Sequence, residues 1–214
     1  LVGFAIPAWA AWVAPVSDSA DVIEVRVVAQ QFQWNIHYPG PDGVFGRTDI
    51  SLVDDAIGNN IGLDRNDPAA RDDVFSLNNL VLPVDRDVVV YLTSRDVIHS
   101  FFLPQMRVKQ DAVPGMMVPV QFKALQSTPV ENQYPACAAN KSCWEIACAQ
   151  LCGLTHYRMV GFYNVLPQGE FDAWMADQQA QLAASLPPID PAMQVAAGDD
   201  ADDDHAGMDH GDAG

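Results

Sequence analysis

The sequence predicts a mainly β protein, a β-sandwich closed by a single C-terminal helix. Two stretches, Ile23 to Val27 and Phe32 to Ile36, alternate apolar and polar residues with a period of two, which is typical of half-buried strands. Further strand patterns recur between turn-rich segments, at 80–93, 97–103, 118–123 and 160–166. Only Glu170 to Ser185 carries apolar residues spaced for one helix face. Several strands with one helix favour a sandwich over a βαβ fold.

The N-terminal stretch 1–16 is uncharged and apolar, and it contains Trp9 and Trp12. At ~1.5 Å per residue a helix of this length reaches only about 24 Å, which is short of the ~30 Å hydrocarbon core of a bilayer. We interpret the stretch as the C-terminal part of a transmembrane helix, with both tryptophans at the membrane interface. The alternative is an apolar segment that packs on the domain.

The chain is strongly acidic, with 28 Asp and Glu against 11 Lys and Arg and a net charge of -17. This charge excludes tight binding to nucleic acid and favours a cationic partner. The C-terminal residues are rich in aspartate and low in apolar side chains, so we predict a disordered, solvated tail. The expected parts are the transmembrane end, the β domain, a C-terminal amphipathic helix and the acidic tail, at 1–16, 17–168, 169–186 and 187–214.

The chemistry of the chain concentrates in a segment that runs from Cys148 to Met159 and also holds Cys152 and His156. Two thiols, an imidazole and a thioether form a soft donor set that suits copper. A mononuclear blue-copper site needs only one cysteine on such a loop. Because two thiolates four residues apart can each bridge two metal ions, the spacing predicts a dinuclear copper–thiolate centre that needs one more imidazole.

His99 is the best candidate for that imidazole. It follows Asp96 and precedes Pro104 at a strand-to-loop transition, where a sandwich can present a ligand from its end. A lone histidine among apolar neighbours is more often a core residue, but the cysteine-rich loop favours a ligand here. The remaining histidines outside the loop are His37, His205 and His210.

Together these motifs resemble the copper-A domain of subunit II of haem-copper cytochrome c oxidases. The similarity runs from about Val22 to Gln179 and includes Gln30-Gln31-Phe32-Gln33-Trp34, Val97-Ile98-His99-Ser100-Phe101, Lys109 to Gly115, the Cys-x3-Cys-x3-His-x2-Met loop and Phe171 to Trp174. The resemblance implies a cupredoxin-like Greek-key sandwich. It also implies one copper ion on His99 and Met159, a second on His156 and the backbone carbonyl of Gln150, and bridging by Cys148 and Cys152.

The resemblance implies that the chain is an electron-transfer module within a proton-pumping oxidase complex. In this family the copper-A centre accepts electrons from cytochrome c and passes them to haem in subunit I, where oxygen is reduced. The expected partners are subunit I, other oxidase subunits, the membrane, and cytochrome c or a cytochrome c domain. The expected location is the bacterial cytoplasmic membrane, with the copper domain on its periplasmic face. We expect no haem on this chain, because it has no Cys-x-x-Cys-His motif.

Three departures from the family pattern change individual expectations. Gln150 stands where the family usually has glutamate, and a neutral amide is a poor ligand for a hard cation, so we do not expect magnesium to bind. Phe32 and Trp34 are candidates for the point at which electrons enter, or for core residues. Cys137 and Cys143 are spaced for a local disulfide, and free thiols that mispair with the loop cysteines are the alternative.

Other classes of protein could use the same residues. A periplasmic copper chaperone or a thiol oxidoreductase could use Cys148 and Cys152 with a histidine, but it would not need Met159. A nitrous oxide reductase-like enzyme carries a similar copper-A module and also needs a large catalytic domain, for which 214 residues leave no room. A purely structural sandwich with two disulfides is the remaining interpretation.

Overall fold

The computed structural model describes residues 2–12, 21–139 and 142–186. The mainly β architecture predicted from the sequence is confirmed, with one helix after the last strand. The α-helices and strands in chain order are α1 Val2–Trp12, β1 Ile23–Gln30, β2 Gln33–Tyr38, β3 Val74–Leu77, β4 Asn79–Pro83, β5 Asp87–Ser94, β6 His99–Leu103, β7 Val108–Ala112, β8 Val118–Lys123, β9 Glu145–Cys148, β10 Val160–Leu166 and α2 Gln168–Ser185.

The strands form two five-stranded sheets, in the orders β3-β2-β1-β5-β8 and β4-β10-β9-β6-β7. In the first sheet β1 pairs antiparallel with β2 and parallel with β5. In the second sheet β10 pairs antiparallel with β9 and parallel with β4. Since β4 and β5 belong to different sheets, the chain crosses from one sheet to the other between them.

The core lies between the sheets and follows from the alternation along each strand. Val25, Val27 and Ala29 of β1 are fully buried, whereas the intervening residues of that strand are partly exposed. The helix α2 packs on the sandwich through its apolar face. Phe171 of this helix is buried, and the ring of Trp174 meets the ring of Tyr38 edge-on at a centroid distance of 5.3 Å.

Several strand boundaries differ from the sequence prediction. The single pattern at 80–93 is two strands, because a turn with Asp85 at a φ of 59° separates β4 from β5. The strand expected from 97 begins at His99. Three further strands, β3, β7 and β9, were not predicted. They have four or five residues each, and β7 exposes Lys109 and Asp111 at a sheet edge, so their apolar alternation is weak.

The N-terminal helix α1 contains Pro7 and carries no charged residue in its first or last turn. Among the described residues, no helix has both the length and the apolar character needed to cross a membrane. The transmembrane assignment of 1–16 therefore stays a prediction, as do the boundaries of the four expected parts. The acidic tail at 187–214 lies outside the described residues.

Candidate metal centre

The predicted copper ligands lie at one end of the sandwich, on neighbouring strands of the second sheet. His99 is the first residue of β6, and Cys148 is the last residue of β9. The two strands pair antiparallel, with Phe101 opposite Cys148. The ligand loop, defined here as residues 148–159, connects β9 to β10. Strand pairing therefore brings this loop beside the residue that supplies the distant imidazole.

Five donor side chains form a continuous cluster. The Sγ atom of Cys148 lies 3.8 Å from Sγ of Cys152 and 3.8 Å from Nδ1 of His99. The Sγ atom of Cys152 lies 3.5 Å from Nδ1 of His156 and 3.7 Å from Sδ of Met159. The donor atoms of His99, Cys148 and Cys152 all lie within 4.8 Å of one another. The structure thus brings together every side chain that the sequence predicted as a metal ligand.

Gln150 meets this cluster through its main chain. Its carbonyl oxygen lies 3.2 Å from Sγ of Cys148, and the residue itself is exposed.

The donor side chains differ in burial. His99, Met159 and Cys152 are almost fully buried, whereas Cys148 and His156 are half-buried. The centre is therefore largely shielded from solvent, and both half-buried donors belong to the ligand loop.

Asp96 fixes the orientation of the His99 ring. Its Oδ1 atom accepts a hydrogen bond from Nε2 of His99 at 2.8 Å, so Nδ1 faces the thiols. A carboxylate behind an imidazole holds one tautomer and strengthens the other nitrogen as a metal ligand. Burial opposes ionisation of Asp96, but hydrogen bonds from His99 and the backbone lower the pKa of this carboxyl. Sequence reasoning missed this role, although an aspartate three residues before His99 was a usable signal.

The two free thiols differ in acidity. Burial opposes ionisation of Cys148, but its hydrogen-bonding contact with His99 and a hydrogen bond from the backbone of Ser100 outweigh it and lower the pKa of Cys148 to about 6. Burial and the neighbouring charge of Cys148 raise the pKa of Cys152 to about 12. The two thiols therefore differ in acidity before metal binds, and metal binding to both sulfurs displaces the protons that they carry.

The two aromatic residues considered as points where electrons enter differ in exposure. Trp34 is fully buried, and its ring centroid lies 6.3 Å from that of His99. Phe32 is half-buried and packs against Gly153 of the ligand loop, where an added Cβ would lie 3.3 Å from the Phe32 ring. Phe32 therefore reaches the surface beside the centre, whereas Trp34 lies behind it.

The remaining cysteines are paired with each other. Cys137 and Cys143 form a disulfide, and both residues are buried. The segment that they close leads directly into Trp144, whose ring packs on Tyr163 at a centroid distance of 5.5 Å. In this arrangement the loop thiols of Cys148 and Cys152 stay outside the disulfide and face the other donors.

Exposed apolar side chains lie on the ligand loop and beside it. Leu151, Leu154 and Tyr157 are 76%, 93% and 77% exposed, and Ile98 beside His99 is 47% exposed. Several large apolar residues exposed in one place are typical of a surface that binds another protein.

The sequence also matches a protein family. The family described as "Cytochrome C oxidase subunit II, periplasmic domain" matches residues 23–165. The chain belongs to the cytochrome c oxidase subunit II family. This match confirms the resemblance that the motifs indicated, and it covers every predicted metal ligand from His99 to Met159.

Relatives in this family match at moderate identity. The alternative cytochrome c oxidase subunit 2 of Bradyrhizobium diazoefficiens is 33% identical over 174 residues, which cover 81% of this chain and 57% of that protein. The cytochrome c oxidase subunit 2 of Thermostichus vulcanus is 38% identical over 109 residues, which cover 51% of this chain and 29% of that protein. The chain spans little more than half the length of the first relative and less than a third of the second.

A solved structure supports the fold. The crystal structure of the periplasmic domain of subunit II of cytochrome oxidase (CoxB) of Bradyrhizobium japonicum is 26% identical and superposes with a TM-score of 0.50. The match covers 78% of this chain and 98% of that chain. A subunit II periplasmic domain of the same family thus shares the sandwich described above.

The donor set fits copper. Thiolate, imidazole and thioether are the soft and intermediate ligands that copper prefers. The two sulfurs, 3.8 Å apart, are close enough to share a metal ion, because metal–thiolate bonds in proteins are about 2.3 Å long. The assignment of each residue to one copper ion stays a prediction.

Proposed function

We propose that this chain carries the copper-A centre of a respiratory haem-copper oxidase and transfers single electrons from cytochrome c towards haem in subunit I. One observation carries the proposal. The two free thiols contact each other and three further donor side chains, His99, His156 and Met159. Two thiols, two imidazoles and a thioether are more donors than one copper ion needs, which supports two metal positions that share both sulfurs.

Each donor has a role in this proposal. A bound copper pair would supply a one-electron acceptor whose charge is shared by two ions. The chain contributes a rigid, largely dry pocket, because most donors are buried and Asp96 fixes one imidazole. The donors would therefore keep their positions when the copper pair gains or loses an electron. The proposed ligands are His99 and Met159 for one ion, His156 and the carbonyl of Gln150 for the other, and Cys148 and Cys152 for both.

We propose that no magnesium ion binds beside the copper centre. Gln150 stands where the family usually has a glutamate, and its neutral amide is a poor ligand for a hard divalent cation.

We infer that electrons enter at Phe32. Its half-buried ring contacts the ligand loop, and the exposed apolar residues Leu151, Leu154 and Tyr157 lie on the same loop. A donor protein that covers this surface comes close to the centre. The net charge of -17 favours a basic donor through long-range attraction that weakens at high salt. Cytochrome c, or a cytochrome c domain, on the periplasmic side of the bacterial cytoplasmic membrane suits this surface.

Metal analysis with electron paramagnetic resonance on the copper-loaded chain tests the proposal. We expect two copper ions per chain and hyperfine structure from one unpaired electron spread over both nuclei. The variant Cys152→Ser removes one shared sulfur and is expected to lose this spectrum. Thr155→Ser, in the same loop but with every donor retained, is the matched control. One copper ion with a localised spin, or no copper, in the unmodified chain would instead indicate a chaperone or a thiol oxidoreductase.

A further inference from the structure

The tip of the ligand loop has few attachments to the rest of the fold. Between Gln150 and Arg158, the backbone receives one hydrogen bond from outside the loop within the described part of the chain. It comes from Nε2 of Gln31, which donates to the carbonyl oxygen of Cys152 at 2.5 Å. Leu151 and Leu154 at the tip are exposed, so apolar burial does little to hold it. A segment with so few contacts opens easily unless something fixes it.

Gln31 is itself fixed to the other segment that supplies a metal ligand. Its backbone N–H donates to Oδ2 of Asp96 at 2.7 Å. The Oδ1 atom of the same carboxylate accepts from Nε2 of His99 at 2.8 Å. Gln31 lies in the turn between β1 and β2, which belong to the first sheet. One residue in a turn of the first sheet therefore connects both ligand-bearing segments of the second sheet by hydrogen bonds.

Gly153 makes the contact between Gln31 and the loop possible. Its φ of +134° is one that residues with a side chain rarely adopt. An added Cβ at this position would lie 2.6 Å from Nε2 of Gln31. The absence of a side chain at residue 153 thus lets the amide of Gln31 reach the carbonyl of Cys152.

We propose that Gln31 is a positioning residue that holds the ligand loop closed before metal binds. Its side chain restrains Cys152, and its backbone is anchored by Asp96. The segments that carry His99 and Cys152 are therefore held at a fixed distance before metal binds. Donors that are already in place lose less conformational freedom on binding metal, which raises metal affinity. The effect on copper rests on the proposed function, whereas the closed state of the loop does not.

Amide hydrogen exchange in the metal-free full chain tests this role, under anaerobic conditions that keep Cys148 and Cys152 reduced. The variant Gln31→Met keeps an unbranched side chain of similar length but cannot donate to the carbonyl. Gln33→Met is the matched control, because Gln33 begins β2 and its amide reaches Asn35 at 3.4 Å, with no hydrogen bond to the ligand loop among the described residues. We expect the amides of His156, Arg158 and Met159, which donate hydrogen bonds within the loop, to exchange about fivefold to tenfold faster in Gln31→Met, and at the unmodified rate in Gln33→Met.

A second variant, Gln31→Glu, keeps the shape of the side chain and replaces the donor with an oxygen. It is expected to speed exchange at least as much as Gln31→Met. Exchange within about twofold of the unmodified chain in both Gln31 variants overturns the proposal. The copper-loaded samples separate this result from the proposed function. Loss of the two-copper spectrum in the unmodified chain overturns the function, and the exchange rates still decide the role of Gln31.

Discussion

The carboxylate of Asp96 lies 2.8 Å from Nε2 of His99 and so determines which ring nitrogen faces the thiols. Removal of this carboxylate in Asp96→Ala frees the ring to rotate and to change tautomer. We expect copper affinity to fall about 10- to 100-fold, the usual effect of losing a residue that orients a metal ligand. Competition with a copper chelator of known affinity measures the change.

The control for Asp96→Ala is Asp87→Ala, which removes an exposed carboxylate that pairs with Lys123 at 3.5 Å, far from the ligand loop in sequence. Asp96→Asn keeps an oxygen that can accept from His99 and is expected to lie between Asp96→Ala and the unmodified chain. Equal copper affinity in Asp96→Ala and Asp87→Ala would show that His99 binds copper without a carboxylate to orient its ring.

Phe32→Leu tests the point at which electrons enter. Leucine keeps an apolar side chain against Gly153 but removes the aromatic ring that extends from the loop to the surface. We expect electron uptake from reduced cytochrome c to slow severalfold, with an unchanged copper spectrum. Stopped-flow reduction at several salt concentrations measures the rate and separates docking from electron transfer.

Tyr157→Leu is the comparison for Phe32→Leu, because Tyr157 is an exposed aromatic residue beside a predicted ligand, His156. A slower reaction in Tyr157→Leu than in Phe32→Leu would move the point of electron transfer to the other side of the loop. Rates that match the unmodified chain in both variants would exclude an aromatic route through either residue.

The sequence alone predicted the donors but not what orients them. Cys148, Cys152, His156 and Met159 lie within one short loop, so their spacing was sufficient. The partners of these donors come from distant segments. Gln31 reaches Cys152 across 121 residues of sequence, and only the packing of the two sheets brings them together. In the same way, β3 and β7 escaped prediction because they have only four and five residues, too few for an apolar alternation to stand out in the sequence.

Asp73 illustrates the same limit for the fold. It lies in the long, aspartate-rich loop between β2 and β3, and no sequence pattern separates it from the exposed Asp54 and Asp55 of the same loop. In the structure it is fully buried, with Oδ2 2.6 Å from Nε2 of His37 and 2.8 Å from the backbone N of Gly46. A third donor, the N–H of Gly40, reaches Oδ1 at 3.3 Å. This carboxylate therefore joins the long loop to β2.

Asp73→Ala is expected to destabilise the fold strongly. The change leaves several buried donors without an acceptor, so we expect the free energy of unfolding to fall by about 3 kcal/mol or more. Urea unfolding followed by tryptophan fluorescence measures it. Asp87→Ala removes an exposed carboxylate and is expected to change stability by less than about 1 kcal/mol. Equal effects in the two variants would mean that the buried pair of Asp73 and His37 contributes nothing to the free energy of unfolding.

The disulfide between Cys137 and Cys143 closes a short loop immediately before β9. Replacement of both residues by alanine removes this closure. The chain-entropy relation for a loop of seven residues gives a loss of about 2.4 kcal/mol in the free energy of unfolding. Non-reducing urea unfolding checks the value. The two-copper spectrum is expected to persist, because neither cysteine belongs to the cluster of donor atoms.

The single variant Cys137→Ala separates stability from thiol chemistry. It also opens the loop, but it leaves Cys143 with a free thiol that can exchange with Cys148 or Cys152. We expect the single variant to unfold as easily as the double variant and to bind less copper, with recovery after the second substitution. Equal copper content in both variants would show that the free thiol does not reach the loop. Loss of the two-copper spectrum in the folded double variant would instead make the disulfide a structural support of the centre.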